Sequence, residues 1–124
     1  MFTFPTEQRL HQLIGEFYEA QKVTAALCHG TCALLFVKLA DGTPLIAGKT
    51  MTGFANVEED FVDGYVGQKL MPFRIEDEAK KIGANFITGG LFKAFVTRDD
   101  RLITGQQQYS GKATALEVIR ALGV

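Results

Sequence analysis

Between Thr6 and Ala20 the apolar residues Leu10, Leu13, Ile14 and Phe17 recur at helical spacing, and Thr6, just after Pro5, is placed to cap the segment. The spacing predicts an amphipathic helix with that face turned inward. Lys22 to Leu27 is a short, nearly unbroken apolar run, the pattern of a strand buried on both faces of a parallel sheet. After Cys28-His29-Gly30, Thr31 to Leu39 is again apolar without alternation, which predicts a buried helix starting directly after the strand. Leu39 to Ala47 reads as a hairpin excursion, and Lys49 to Phe54 as a second strand bounded by turn residues.

Further along, Asn56 is placed to cap a short helix through Tyr65. Pro72 opens another that carries Ile75, Ala79 and Ile82 and stops at Gly83. Ala94 to Thr97 and Arg101 to Thr104 flank Arg98-Asp99-Asp100 as a hairpin. Ser110 to Leu122 closes the chain as a helix with Ala115, Val118, Ile119 and Leu122 inward. Helices alternating with apolar strands give an α/β architecture.

With 124 residues, 47% hydrophobic and 22% charged, the chain fits one domain over residues 1–124. A chain of this size buries roughly two-thirds of its unfolded surface, enough for one core. The formal charge of −1, from 13 basic and 14 acidic residues, leaves no electrostatic footprint for nucleic acid or an anionic membrane. No stretch approaches the ~18 apolar residues of a membrane span. The two cysteines, Cys28 and Cys32, form neither a disulfide framework nor a four-ligand zinc set. These features point to a reducing, cytoplasmic setting, and no metal or cofactor site is indicated.

Chemistry concentrates at Cys28. A cysteine between a buried strand and a helix start sits where sharp turns present nucleophiles, because backbone N–H groups and the helix dipole favour a thiolate there. A small buried core cysteine is the competing reading. His29 is a candidate partner, but neighbours in an extended strand point to opposite faces, so only a bent backbone lets the two cooperate. A hydrogen-bonded structural histidine remains the alternative. Glu58-Glu59-Asp60, read alone, is the solvated first turn of a helix. His11 lies on the polar side of the first helix, and Cys32 reads as packing.

The motifs Ala25-Ala-Leu-Cys-His-Gly30, Leu39-Ala-Asp-Gly-Thr-Pro-Leu45, Thr52-Gly-Phe54, Val57-Glu-Glu59, Pro72-Phe73 and Arg101-Leu-Ile-Thr-Gly-Gln106 span nearly the whole chain. In order and spacing they resemble the ThiJ/PfpI superfamily of class I glutamine amidotransferase-like proteins, nearest to its heat-shock chaperone and glyoxalase III branch. The resemblance implies a flavodoxin-like three-layer sandwich, of which this chain is the C-terminal half. It implies Cys28 as nucleophile, His29 as its partner and Glu59 as the acid that orients the histidine, with Glu58 and Asp60 as decoys. It makes the N–H groups of His29 and Gly30 candidate donors to an oxyanion. Thr104-Gly-Gln-Gln-Gln-Tyr-Ser110 departs from the family's Thr-Gly-Gln-Asn-Pro loop at Gln107 and Gln108.

Family members carry, ahead of the matched stretch, a segment about as long again, with a Gly-Gly-x-Gly loop that supplies an oxyanion donor. Loss of one such donor typically costs about 2.7 to 4 kcal/mol of transition-state stabilisation. The expected activity is cofactor-independent attack on small 2-oxoaldehydes, with amide hydrolysis as the neighbouring enzymatic reading. Against both stands a non-catalytic chaperone, thiol redox sensor or subunit of a larger assembly. Because the strand at 22–27 lacks the neighbour that the family supplies, the chain is expected to form a homodimer or higher even oligomer, or to take a partner that provides the missing half.

Overall fold

The computed structural model describes residues 1–124 in full. Helix α1 (Gln8–Glu19) leads into β1 (Thr24–Leu27), which turns straight into a 3-10 helix, Cys28–Leu34. Strand β2 (Thr50–Met51), helices α2 (Asn56–Val66) and α3 (Ile75–Ile82), and strand β3 (Asn85–Phe86) follow. The hairpin β4 (Val96–Asp99) and β5 (Leu102–Gly105) and helix α4 (Gly111–Leu122) complete the chain. One sheet has the order β1-β5-β4, with β1 parallel and β4 antiparallel to β5, and β2 pairs parallel with β3 in a second. The two sheets are joined by side chains: Thr50 N donates to Asp99 Oδ2 (2.7 Å) and Thr52 N to Thr104 Oγ1 (2.8 Å). The α/β architecture is as the pattern predicts, and no helix is long and apolar enough to cross a membrane.

Several local expectations are corrected. The segment after Cys28 is a 3-10 helix rather than an α-helix through Leu39, and bonds three residues apart, Leu35 N to Cys32 O and Val37 N to Leu34 O, continue the tight winding. The chain then reverses at a bridge between Lys38 and Pro44, where the hairpin excursion is expected. Glu7, not Thr6, caps α1 by accepting from Arg9 N, because Pro5 starts a 3-10 turn over Phe4–Thr6. Ala55, not Asn56, precedes α2, and its N–H is taken by Glu58 Oε1 at 3.1 Å. Strand β3 has no counterpart in the sequence reading. Helix α3 ends at Gly83, whose φ of 104° suits a residue without Cβ.

The larger corrections concern which faces are buried. Strand β1 is not covered on both sides: it is an edge strand bonded only to β5, and Ala25 is exposed. On α1 the buried residues are Gly15 and Tyr18, while Leu13 and Phe17 are 51% and 44% exposed. Tyr18 sets this rotation: the Arg101 guanidinium lies 3.8 Å from its ring centroid and Arg101 Nε donates to its carbonyl at 2.7 Å. On α4 the buried residue is Thr114, whose hydroxyl donates to Ser110 O, and Val118 is half-buried behind it. Ala115, Ile119 and Leu122, expected inward, are exposed.

Candidate active site at the turn after strand β1

Leu27 is extended, with φ −142° and ψ 160°. At Cys28 φ becomes +58°, a left-handed conformation that costs a non-glycine residue on the order of 1–3 kcal/mol and persists only where surroundings enforce it. The enforcing contacts meet at the Cys28 carbonyl, which accepts from Thr31 Oγ1 at 2.8 Å and from Phe54 N at 3.3 Å. Position 53 has to be glycine for the same reason, since a Cβ there would collide with the Thr31 hydroxyl.

This bend does what an extended strand cannot. It brings Cys28 Sγ to 3.8 Å from His29 Nδ1, a long contact for sulfur, while His29 Nε2 lies 2.7 Å from Glu59 Oε1. Phe54 stacks on the imidazole with centroids 4.0 Å apart and an interplanar angle of 26°. Burial alone lowers the basicity of His29, but hydrogen bonds to Cys28 and Glu59 and the charges of those groups outweigh it. The pKa rises from 6.5 to about 9.

The three consecutive acids separate completely, and the solvated-turn reading fails for two of them. Glu59 is 2% exposed and holds the histidine. Glu58 is fully buried and accepts from Ala55 N, Phe92 N and Gln107 Nε2. Asp60 points to solvent and pairs with Arg74 at 2.7 Å. Cys28, His29 and Glu59 are therefore brought together, and Asp60 is not.

Gly30 has no steric need to be glycine, since a Cβ there would meet nothing within 4 Å. It borders a trough of about 340 Å³ that runs along β1 and is lined by Phe4, Leu10, Ile14, Leu27 and Ala33 among others. Cys32 is fully buried and burial raises its thiol pKa. Gln107, where the family loop pattern breaks, is fully buried and bonded, whereas Gln108 is exposed. Sequence reasoning missed Phe54, Phe92 and Thr31 as supports of the site. Phe54 stood inside a quoted motif, but nothing in the spacing reveals a ring stacked on His29.

No protein-family profile matches the chain. The glutathione-independent glyoxalase HSP31 of Saccharomyces cerevisiae is 37% identical over 128 residues, a match that covers 98% of this chain and 53% of that protein. The crystal structure of glyoxalase III from Candida albicans superposes with a TM-score of 0.84 at 30% identity, covering 97% of this chain and 52% of that one. A ThiJ/PfpI domain protein from Brachyspira murdochii, at 17% identity and a TM-score of 0.69, shares the fold. The chain thus spans about half the length of the relatives it matches. The fold is that of a ThiJ/PfpI domain protein. Within that fold the similarity is to proteins of the glyoxalase III and HSP31 type, consistent with a C-terminal half.

Proposed function

We propose that this chain carries the nucleophile-bearing half of a cofactor-independent glyoxalase acting on small 2-oxoaldehydes, with Cys28, His29 and Glu59 as its catalytic residues. The observation that carries the reading is the run of contacts from Cys28 Sγ through His29 to Glu59 on a strained turn. The names of the relatives direct it to 2-oxoaldehydes. A protonated imidazole beside the sulfur pairs a thiolate with its counter-charge, and Glu59 fixes the ring's orientation and stabilises its charged form.

In the proposed sequence the sulfur adds to the aldehyde carbon while the carbonyl oxygen takes a proton, giving a hemithioacetal. His29 then carries the hydrogen of that carbon to the adjacent keto carbon by way of an enediol, which leaves a thioester of the 2-hydroxy acid. Water cleaves the thioester, releasing the acid and returning the thiol. One water is consumed and nothing is oxidised or reduced overall. The N–H groups of His29 and Gly30 are the proposed oxyanion donors.

The test is consumption of methylglyoxal without glutathione, followed as 2-hydroxy acid formed. Cys28→Ala is expected to abolish it, at least about 10³-fold. Turnover that survives Cys28→Ala overturns the reading. Release of amine from a chromogenic amide, with no 2-hydroxy acid from methylglyoxal, replaces it with the amidase. A protein inert to both, with Cys28 still alkylated rapidly at pH 6, favours the thiol sensor.

A further inference from the structure

Glu58 has no part in the chemistry just described, yet it is a fully buried carboxylate with three hydrogen bonds. Oε1 accepts from Ala55 N at 3.1 Å, and Oε2 accepts from Phe92 N at 2.9 Å and from Gln107 Nε2 at 3.0 Å. All three partners are donors, and they belong to three separate segments: the start of α2, the irregular stretch between β3 and β4, and the turn after β5. That irregular stretch has no ladder of its own and is held by buried side chains. Gln106 Oε1 accepts from Gly89 N while its Nε2 donates to Gly90 O, and Gln107 Nε2 also donates to Lys93 O at 2.7 Å. Within it Phe92 stands at a φ of 51°, another left-handed non-glycine residue that its contacts must enforce.

Two of the three segments lead to the imidazole. Ala55 directly follows Phe54, the ring stacked on His29. The Phe92 ring meets Phe54 edge-on, with centroids 6.3 Å apart and an interplanar angle of 61°. Glu58 therefore grips the backbone beside both rings of the aromatic pair against which His29 rests. Glu59, one residue on, occupies the same helical turn, so a shift of that turn also changes the 2.7 Å bond to His29 Nε2.

We propose that Glu58 is a positioning residue for His29: by tying the start of α2 to the Phe92 segment it sets the Phe54–Phe92 pair behind the imidazole and the register of Glu59 against it. The proposal rests on the reading that His29 works with Cys28 and Glu59. Glutamine at 58 has nearly the same shape but one oxygen fewer, so its amide nitrogen must face either Ala55 N or the Phe92 and Gln107 donors, and one side of the grip opens.

The experiment is an NMR titration of the two histidines in the full chain, with His11 as internal reference, beside the pH profile of Cys28 alkylation by iodoacetamide. A purely structural role lowers stability without moving His29. Positioning predicts that Glu58→Gln lowers the His29 midpoint by roughly half a pH unit or more, about threefold in its protonation equilibrium, and shifts the alkylation profile with it. His11 stays where it is. Ala79→Gly, a destabilising change in the buried face of α3, is the control and leaves His29 unmoved.

An unchanged His29 midpoint in a folded Glu58→Gln protein overturns the proposal. Should that variant fail to fold, Phe92→Leu, which keeps the carboxylate and removes the ring edge, decides: it is expected to lower the midpoint, and no shift overturns the proposal. A wild-type His29 that titrates near 6.5 removes the coupling to Glu59 itself, and the catalytic reading and the positioning role fall together.

Discussion

The turn at Cys28 separates two flanks of very different construction. Toward β5 and β2 the protein is closed: Leu102, Ile103, Met51 and Ile75 are fully buried. Thr104 Oγ1 there accepts from Thr52 N and shares a 2.7 Å bond with Thr97 Oγ1, while the buried Thr52 hydroxyl has no partner. Along β1 the protein is open. The strand has a free edge, the apolar trough runs beside it to Gly30, and Leu13 and Phe17 on α1 and Leu116, Ile119 and Leu122 on α4 face outward. His29 and Glu59 are held from the closed flank, and the space in which a substrate's developing oxyanion would lie adjoins the open one. The contacts from Cys28 through His29 to Glu59 are thus held within this chain, whereas the surface beside Gly30 is open along the edge of β1.

The widest expected effect is on stability. Leu102→Ala, on the closed flank, is expected to cost about 2–5 kcal/mol in denaturant unfolding, from lost burial and the cavity left behind. Leu13→Ala, on the open flank, is expected to fall within about 0.5 kcal/mol of wild type at concentrations where the chain is monomeric. Equal costs at the two positions in the monomer would erase the distinction between the flanks.

A smaller effect concerns what covers the open flank. We propose that a second copy of the chain does, since an apolar edge strand between two helices with outward apolar stripes is a template for association and two-fold dimers are the commonest soluble assemblies. Sedimentation equilibrium at micromolar concentration is expected to show a dimer. Ile119→Glu is expected to weaken it at least about tenfold, roughly 1.4 kcal/mol. A folded monomer at that concentration, or a dimer indifferent to charge at position 119, counts against a self-association interface on α4.

How much of this was legible in the sequence divides along the same line. The alternation of elements, the β4–β5 hairpin and the stop at Gly83 are legible because turn chemistry and apolar runs are local properties, although the hairpin turns at Asp100–Arg101 and not over 98–100, since Arg98 and Asp99 pair with Ile103 and Leu102. The inward faces of α1 and α4 are not. Both helices carry more apolar positions than one face can hold, and tertiary contacts at Tyr18 and Thr114 choose which stripe is buried. At the site, Cys28, His29 and Glu59 came from the family motifs; from spacing alone Glu59 looks like its neighbours. Glu58 reads as a decoy because the resemblance assigns Glu59 alone to face His29; adjacent helix residues point about 100° apart, and only the fold shows that the direction of Glu58 also leads into the interior.

The smallest expected effect tests whether the closed flank holds His29 charged. Its pKa in the folded protein is about 9 against 6.5 for the free side chain, so between those values the native state keeps a proton that the unfolded chain has lost. Stability from this group is fully present below pH 6.5 and is lost as pH rises through 9. By linkage a shift of that size is worth about 3 kcal/mol at most, and solvent screening of the 27% exposed imidazole reduces the realised contribution toward about 1 kcal/mol. Because other groups also contribute to the pH dependence, the quantity to measure is the difference in unfolding free energy between wild type and His29→Gln at pH 6 and at pH 9.5. That difference is expected to shrink toward alkaline pH, since glutamine carries no titrating proton. It is also expected to be flatter in a Glu59→Gln background, where the acceptor that stabilises the imidazolium is gone. A difference that is constant with pH means that His29 is no more basic in the folded chain than in the unfolded one, and that the closed flank supplies packing to the imidazole without the charge.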